Sequence, residues 1–230
     1  MKKLLTLFFL HLFVLSAVAQ VYKITYQPTR NGQLSGRDTI VVFADAKKTV
    51  VTRTSILDKS FKRTAEESMI NVPKKLVYKK SIFPDNRTVI TVDSTAYNKN
   101  RFQESDITKE ITGLKGRKAT TSINSNAIEI YYTNEIPVHS SPNDIGLDKG
   151  LVLEYIRNGN SGFVATKIEQ VKSFPIGYSF PTSNEIVDIL TYRDKVWKSK
   201  FIQIPIFQNE KICFDPDNLK SDSVLRFAEG

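Results

Sequence analysis

Leu151-Val152-Leu153-Glu154-Tyr155-Ile156-Arg157-Asn158-Gly159-Asn160-Ser161-Gly162-Phe163-Val164 is the stretch that decides the fold. Two strand-like runs, residues 151–157 and 162–174, flank Asn158-Gly159-Asn160. Asn-Gly between such runs is a strong hairpin signal, because both residues tolerate the positive φ that a tight antiparallel turn demands. A hairpin here makes its neighbours strands of the same antiparallel sheet.

The same grammar extends outward in both directions. Residues 127–132 place Ile128, Ile130 and Tyr132 on one side and Glu129 and Tyr131 on the other, and Asn124-Ser125-Asn126 joins them to residues 117–122. Tyr22, Ile24 and Tyr26 alternate with Lys23 and Thr25, the period-two pattern of a half-buried strand. Residues 38–43 and 49–54 form the next pair around Asp45-Ala46-Lys47-Lys48. Residues 75–82 and 87–92 flank Phe83-Pro84-Asp85-Asn86, where Pro fixes φ and Asp and Asn bond to the local backbone. Residues 201–207 alternate again, with Pro205 marking an edge or a bulge.

One segment has a different period. Thr182-Ser183-Asn184-Glu185 reads as a capping box, and Ile186, Ile189, Leu190, Arg193, Val196 and Trp197 follow at helical spacing to about Ser199. The expected fold is mainly β: a curved antiparallel sheet of about ten strands, with one helix near residues 183–199.

The first 19 residues stand apart. Met1-Lys2-Lys3, an apolar run to Leu15 and Ala17-Val18-Ala19 make a secretory signal peptide. Without Lys2 and Lys3 the charge of +9 becomes +7, from 31 Lys and Arg against 24 acids. No later apolar run approaches the roughly 18 residues of a membrane span. The chain is therefore expected in the periplasm, at the outer membrane or outside the cell. A single Cys and two His, one of them in the leader, leave too few ligands for a structural zinc site, an iron–sulfur cluster or a disulfide framework.

Little in the motifs points to catalysis. His139, in Pro137-Val138-His139-Ser140-Ser141-Pro142, is the one candidate base, and its serine neighbours lie in a Pro-bounded turn. Cys213, between Ile212 and Phe214, reads as a buried apolar residue. Asp215-Pro216-Asp217-Asn218 lacks the Gly and terminal Glu of a calcium loop. No catalytic, metal or cofactor residue is assigned. The basic excess at Lys74-Lys75, Lys79-Lys80, Lys115–Lys118, Lys195, Lys198 and Lys200 lacks interleaved aromatics, which argues against nucleic acid. It is either a solvated surface or a source of attraction to anionic glycan or the lipopolysaccharide surface. Aromatics gather in the second half, and Tyr131, Tyr155, Tyr178 and Trp197 are candidate glycan-stacking residues, since sugar faces pack on exposed rings.

A family resemblance emerges from residue 111 onward. Ile111-Thr112-Gly113-Leu114, Tyr131-Tyr132-Thr133-Asn134-Glu135-Ile136, Gly146-Leu147 and Gly150-Leu151-Val152-Leu153-Glu154 resemble the GLPGLI family of exported Bacteroidetes proteins. Asp148-Lys149 departs from that family's Pro-containing turn, and Gly116 lies where many members carry Cys. Lys172-Ser173-Phe174-Pro175, Leu190-Thr191-Tyr192-Arg193-Asp194, Val196-Trp197-Lys198-Ser199, Ile204-Pro205-Ile206-Phe207 and Val224-Leu225-Arg226-Phe227-Ala228-Glu229-Gly230 resemble a related module. That module is the amino-terminal, bowl-like domain of peptide-N-glycosidase F-like proteins.

The resemblance implies an exported amidase that acts between asparagine and the first sugar of an N-glycan, with its catalytic residues in a following jelly roll. On that reading residues 20–214 are a non-catalytic, substrate-assisting domain. Residues 215–230 are then a linker and the first strand of a jelly-roll domain that the sequence lacks. Expected partners are an N-glycoprotein or glycan and that catalytic domain. The alternative is a stand-alone GLPGLI-type protein, structural or enclosing an apolar ligand in a cavity of a few hundred Å³. Intact-mass analysis of the product exported from its host should show a chain beginning at Gln20; a retained Met1 would refute the leader.

Overall fold

A computed structural model describes residues 20–36, 38–98, 101–200, 202–206 and 210–214, the last two segments by their backbone. Strands β1 (Val21–Arg30), β2 (Gln33–Leu34), β3 (Ile40–Ala44) and β4 (Lys48–Arg53) are followed by a single helical turn, α1 (Thr54–Leu57). Next come β5 (Ala65–Asn71), β6 (Leu76–Ile82), β7 (Thr88–Asp93), β8 (Gln103–Ile111), β9 (Leu114–Ile123) and β10 (Asn126–Thr133). The chain continues through β11 (Leu151–Arg157), β12 (Ser161–Val171), helix α2 (Ile189–Lys200), β13 (Ile202–Ile206) and β14 (Glu210–Phe214). The last two pair only with each other among the described residues.

The other twelve strands form one antiparallel sheet, in the order β7-β6-β5-β4-β3-β1-β12-β11-β10-β9-β8, with β2 hydrogen-bonded to the end of β1. Two sequential meanders meet at β1, which pairs with β3 on one side and β12 on the other. The turns are those the sequence calls for. Asn158 and Gly159 have φ of 51° and 68°, and Asn124 and Ser125 of 48° and 62°. Asp45 closes the β3–β4 turn by accepting the Lys47 and Lys48 N–H groups at 2.7 and 2.6 Å.

The sheet is covered on both faces, so its central strands are buried through and through: all five residues of β3 are buried. Ile24, Tyr26, Val42 and Ile70 line the first face and are packed by Tyr97, Val138 and Leu147. Val41, Phe43, Val50, Met69 and Tyr78 line the second and are packed by Phe174, Tyr178, Phe180 and Ile186. Each fully buried aliphatic side chain contributes about 1.5–3 kcal/mol.

Residues 172–188 form a strap that wraps the β7 edge. Ile186 lies in the second-face cluster and Val187 in the cluster under α2, since successive residues of an extended chain point to opposite faces. The Val187 N–H reaches the Ile90 carbonyl at 2.9 Å, satisfying part of an edge that would otherwise be open. α2 then lies on the first face, with Tyr192 and Val196 packed on Val89.

The strap is pinned by a buried carboxylate. Glu67 Oε1 accepts hydrogen bonds from Thr52 Oγ1 at 2.6 Å and Tyr178 Oη at 2.5 Å, while Lys80 Nζ stands 3.5 Å from Oε2. Burial pushes the Tyr178 hydroxyl well above its ordinary value, and donation to Glu67 adds to the shift.

Two expectations are revised. The helix begins at Ile189 and not near residue 183. The Thr182–Glu185 box is present but closes a 3-10 turn, and Ile186 and Val187 are taken into the sheet edge. Asp188 becomes the helix cap, accepting the Leu190 and Thr191 N–H groups at 3.0 and 2.9 Å. The sheet also contains β5 and β8, which the alternation pattern misses.

Replacing Tyr178 by Phe should lower stability by about 1.5–3 kcal/mol, the range for a hydrogen bond to a charged group, as read from urea midpoints. Tyr192, whose hydroxyl shares a 2.7 Å hydrogen bond with Ser81, is pushed up to about 12 by burial. Its contribution is complete below pH 10 and is lost as the pH rises from 10 through 12. Tyr192→Phe should flatten the alkaline arm of a stability–pH curve.

Candidate functional site

Where β1, β12 and β11 run out together, two rows of side chains cross the sheet. Arg30 pairs with Ser161, and Ser161 with Arg157, so the arginines flank a serine across three adjacent strands. Two residues inward on the same face, Pro28, Phe163 and Tyr155 form a second row. The Tyr155 and Phe163 rings lie 6.3 Å apart, tilted by 31°. These residues line a groove of about 690 Å³, closed on one side by Asn143. Its lining carries Arg30 and Arg157 and no carboxylate. Burial raises the Tyr155 hydroxyl pKa, with the Arg157 charge and a hydrogen bond to Asn143 pulling it back down.

Asn143 also borders a smaller cavity of about 170 Å³, lined by Arg53, Glu66, Ser68, Lys79 and Asp144 among others. Asp144 Oδ2 accepts from Ser68 Oγ at 3.2 Å and faces Lys79 Nζ at 3.5 Å, while its buried Oδ1 has no partner among the described residues. Burial raises the pKa of this carboxyl, with Lys79 opposing. No group of three or more His, Cys, Asp or Glu among the described residues could hold a metal ion.

Residues 24–194 match the family model described as "N-glycanase peptide, N-terminal domain". Two solved structures of PNGF-II, in different space groups, are 36% and 37% identical, with TM-scores of 0.73 and 0.75 over 84% and 89% of this chain. The chain belongs to the N-glycanase amino-terminal domain family. It spans 35% and 38% of the two PNGF-II chains. A search of curated proteins finds no match.

The glycines of the Gly-Leu segments have a structural purpose in this N-glycanase-type domain. Gly146 and Gly150 have φ of 78° and 122°, and a Cβ at Gly150 would lie 2.3 Å from Asn134 Oδ1. Only glycine fits, and the two turns seat Leu147 and Leu151 with no exposure at all.

The candidate stacking residues part company. Tyr131 is buried in the first-face cluster with Lys109 Nζ 5.5 Å from its ring centre. Tyr155 is mostly buried but edges the groove. Tyr178 is the strap's anchor to Glu67. Trp197 is 63% exposed on α2, beside a groove of about 460 Å³ lined by Glu66, Tyr192, Arg193, Asp194 and Val196. His139 directs Nδ1 to the Leu147 carbonyl at 2.9 Å, and Ser141 Oγ donates to Asn143, so the turn residues serve the turn. The apolar-ligand alternative needs an open apolar chamber, whereas Tyr97, Val138 and Leu147 fill the apolar first face. The side chain of Cys213, residues 215–218 and the strand read at residues 224–227 lie outside the described residues.

The groove arginines were missed by sequence reasoning, although a signal exists. Arg30-Asn31-Gly32 and Arg157-Asn158-Gly159 are the same tripeptide, each ending a strand in a positive-φ Asn-Gly turn. Gly162 sits between the two rows, where an added Cβ would lie 1.9 Å from the Tyr155 carbonyl oxygen. Gly162→Ala should therefore cost about 1–3 kcal/mol or more through overpacking. The measurement is a thermal melt, together with loss of near-ultraviolet signal from the Tyr155–Phe163 pair.

Proposed function

We propose that this chain is the non-catalytic amino-terminal module of an exported N-glycanase-like amidase and that it assists recognition of the glycoprotein substrate. The observation that carries this reading is the match of residues 24–194 to the N-glycanase amino-terminal family, with PNGF-II chains more than twice as long as this one. The groove supports it: concave, polar at its rim, with aromatic side chains below, as small-ligand sites are built. The only described histidine is committed to a backbone carbonyl. In this reading the amide hydrolysis belongs to a catalytic region carried elsewhere in the longer protein.

Immobilised chain should retain an N-glycoprotein more than its enzymatically deglycosylated form, and should release no glycan from the denatured glycoprotein on prolonged incubation. Glycan release by this chain alone would refute the non-catalytic assignment. Equal retention of the two forms would refute the recognition role.

A further inference from the structure

The twin Arg-Asn-Gly turns place two cations over an aromatic floor. Asn31 N–H donates to the Asn160 carbonyl at 2.5 Å, which ties the β1–β2 turn to the β11–β12 turn. Asn158 in turn accepts the Ala127 N–H at 2.9 Å and donates to Asn126 Oδ1 at 2.9 Å, fastening the same corner to β10. The strand ends are thus held in fixed register. Adjacent strands lie 4.7–4.9 Å apart, so the Arg30 and Arg157 backbones stand about 10 Å from each other with Ser161 midway. Two extended guanidinium groups converging across that gap can share one anionic group, each offering planar paired donors.

Several cations of the other basic clusters are paired. Lys79 faces Asp144, Lys80 faces Glu67, Lys118 pairs with Glu129 at 2.6 Å and Lys198 with Asp194 at 2.8 Å. Arg30 and Arg157, both exposed, form no ion pair among the described residues. What distinguishes Arg30 and Arg157 is that two unpaired cations border one concave groove whose lining holds no carboxylate.

We infer that the groove between the two Arg-Asn-Gly turns binds an acidic sugar, with its carboxylate or sulfate held between Arg30 and Arg157 and its ring over Phe163 and Tyr155. The sugar part of this inference rests on the glycan-handling reading above; the anion part rests on the arginine pair alone. A volume of about 690 Å³ accommodates a short oligosaccharide, within the roughly 300–1,000 Å³ of small-ligand sites. Asn143 and Ser161 supply hydroxyl partners at the rim. The site would set which glycan ends are favoured.

The test is calorimetric titration of the whole chain with sialyllactose, a sulfated lactose, lactose and inorganic phosphate. The acidic sugars should bind at least tenfold tighter than lactose and than phosphate, and their affinity should fall as salt is raised. Arg30→Gln and Arg157→Gln should each weaken acidic-sugar binding about tenfold or more, while Lys172→Gln, an exposed charge at the far end of β12, should not. Circular dichroism should show all three variants folded. Lactose binding equal to sialyllactose, or no loss in either arginine variant, would overturn the acidic-sugar assignment and leave the glycoprotein-retention result untouched. Phosphate binding as tightly as the acidic sugars would reduce the groove to a bare anion site and overturn the sugar assignment.

Discussion

The pairing of β1 with β12 is the constraint on which the structure depends. Every other neighbouring pair in the twelve-stranded sheet joins strands close in sequence, but Val21 meets Val171 and Arg30 meets Ser161 across most of the domain. Without it there would be two separate meanders, each with an exposed hydrophobic edge. Long-range strand pairing of this kind carries a loop-closure entropy that only the completed core offsets, so folding is expected to be slow relative to local hairpin formation. The Tyr26 hydroxyl, donating to the Val152 carbonyl at 2.7 Å, ties the closing pair to the next strand from a fully buried position.

That closure also creates the groove. β1 and β11 are brought to either side of β12, and only then do the two Arg-Asn-Gly turns become neighbours. The site is a property of the sheet and not of any one hairpin. Register matters more here than composition: a slip of one residue in β12 would send Phe163 to the opposite face and replace it with Gly162 or Val164. The bulge at Thr25/Tyr26 absorbs an irregularity in β12 before it reaches the groove.

The hairpins were legible because their turns are chemical: Asn-Gly, Pro-Asp-Asn and Asn-Ser-Asn can do little else in that setting. β5 was illegible because Glu66 and Glu67 break its alternation, and nothing local says that Glu67 will find Thr52, Tyr178 and Lys80 in the interior. β8 was illegible for the opposite reason. It is an edge strand, almost wholly exposed, and its charged residues blunt the edge in place of a hydrophobic face. The helix start was misplaced because a capping box is a local signal, whereas the pull of β7 on Ile186 and Val187 is tertiary. Tyr131, Tyr155, Tyr178 and Trp197 look alike in sequence, yet only Trp197 is exposed. The difference between them is set by partners dozens of residues away.

Chemical-shift mapping of the isotopically labelled chain with a sialylated N-glycopeptide addresses the central claim most directly. The account predicts perturbations concentrated at Arg30–Gly32, Arg157–Phe163 and Asn143, with the remainder of the sheet unmoved. Perturbations confined to the Trp197 face of α2, or none at saturating glycopeptide, would contradict it.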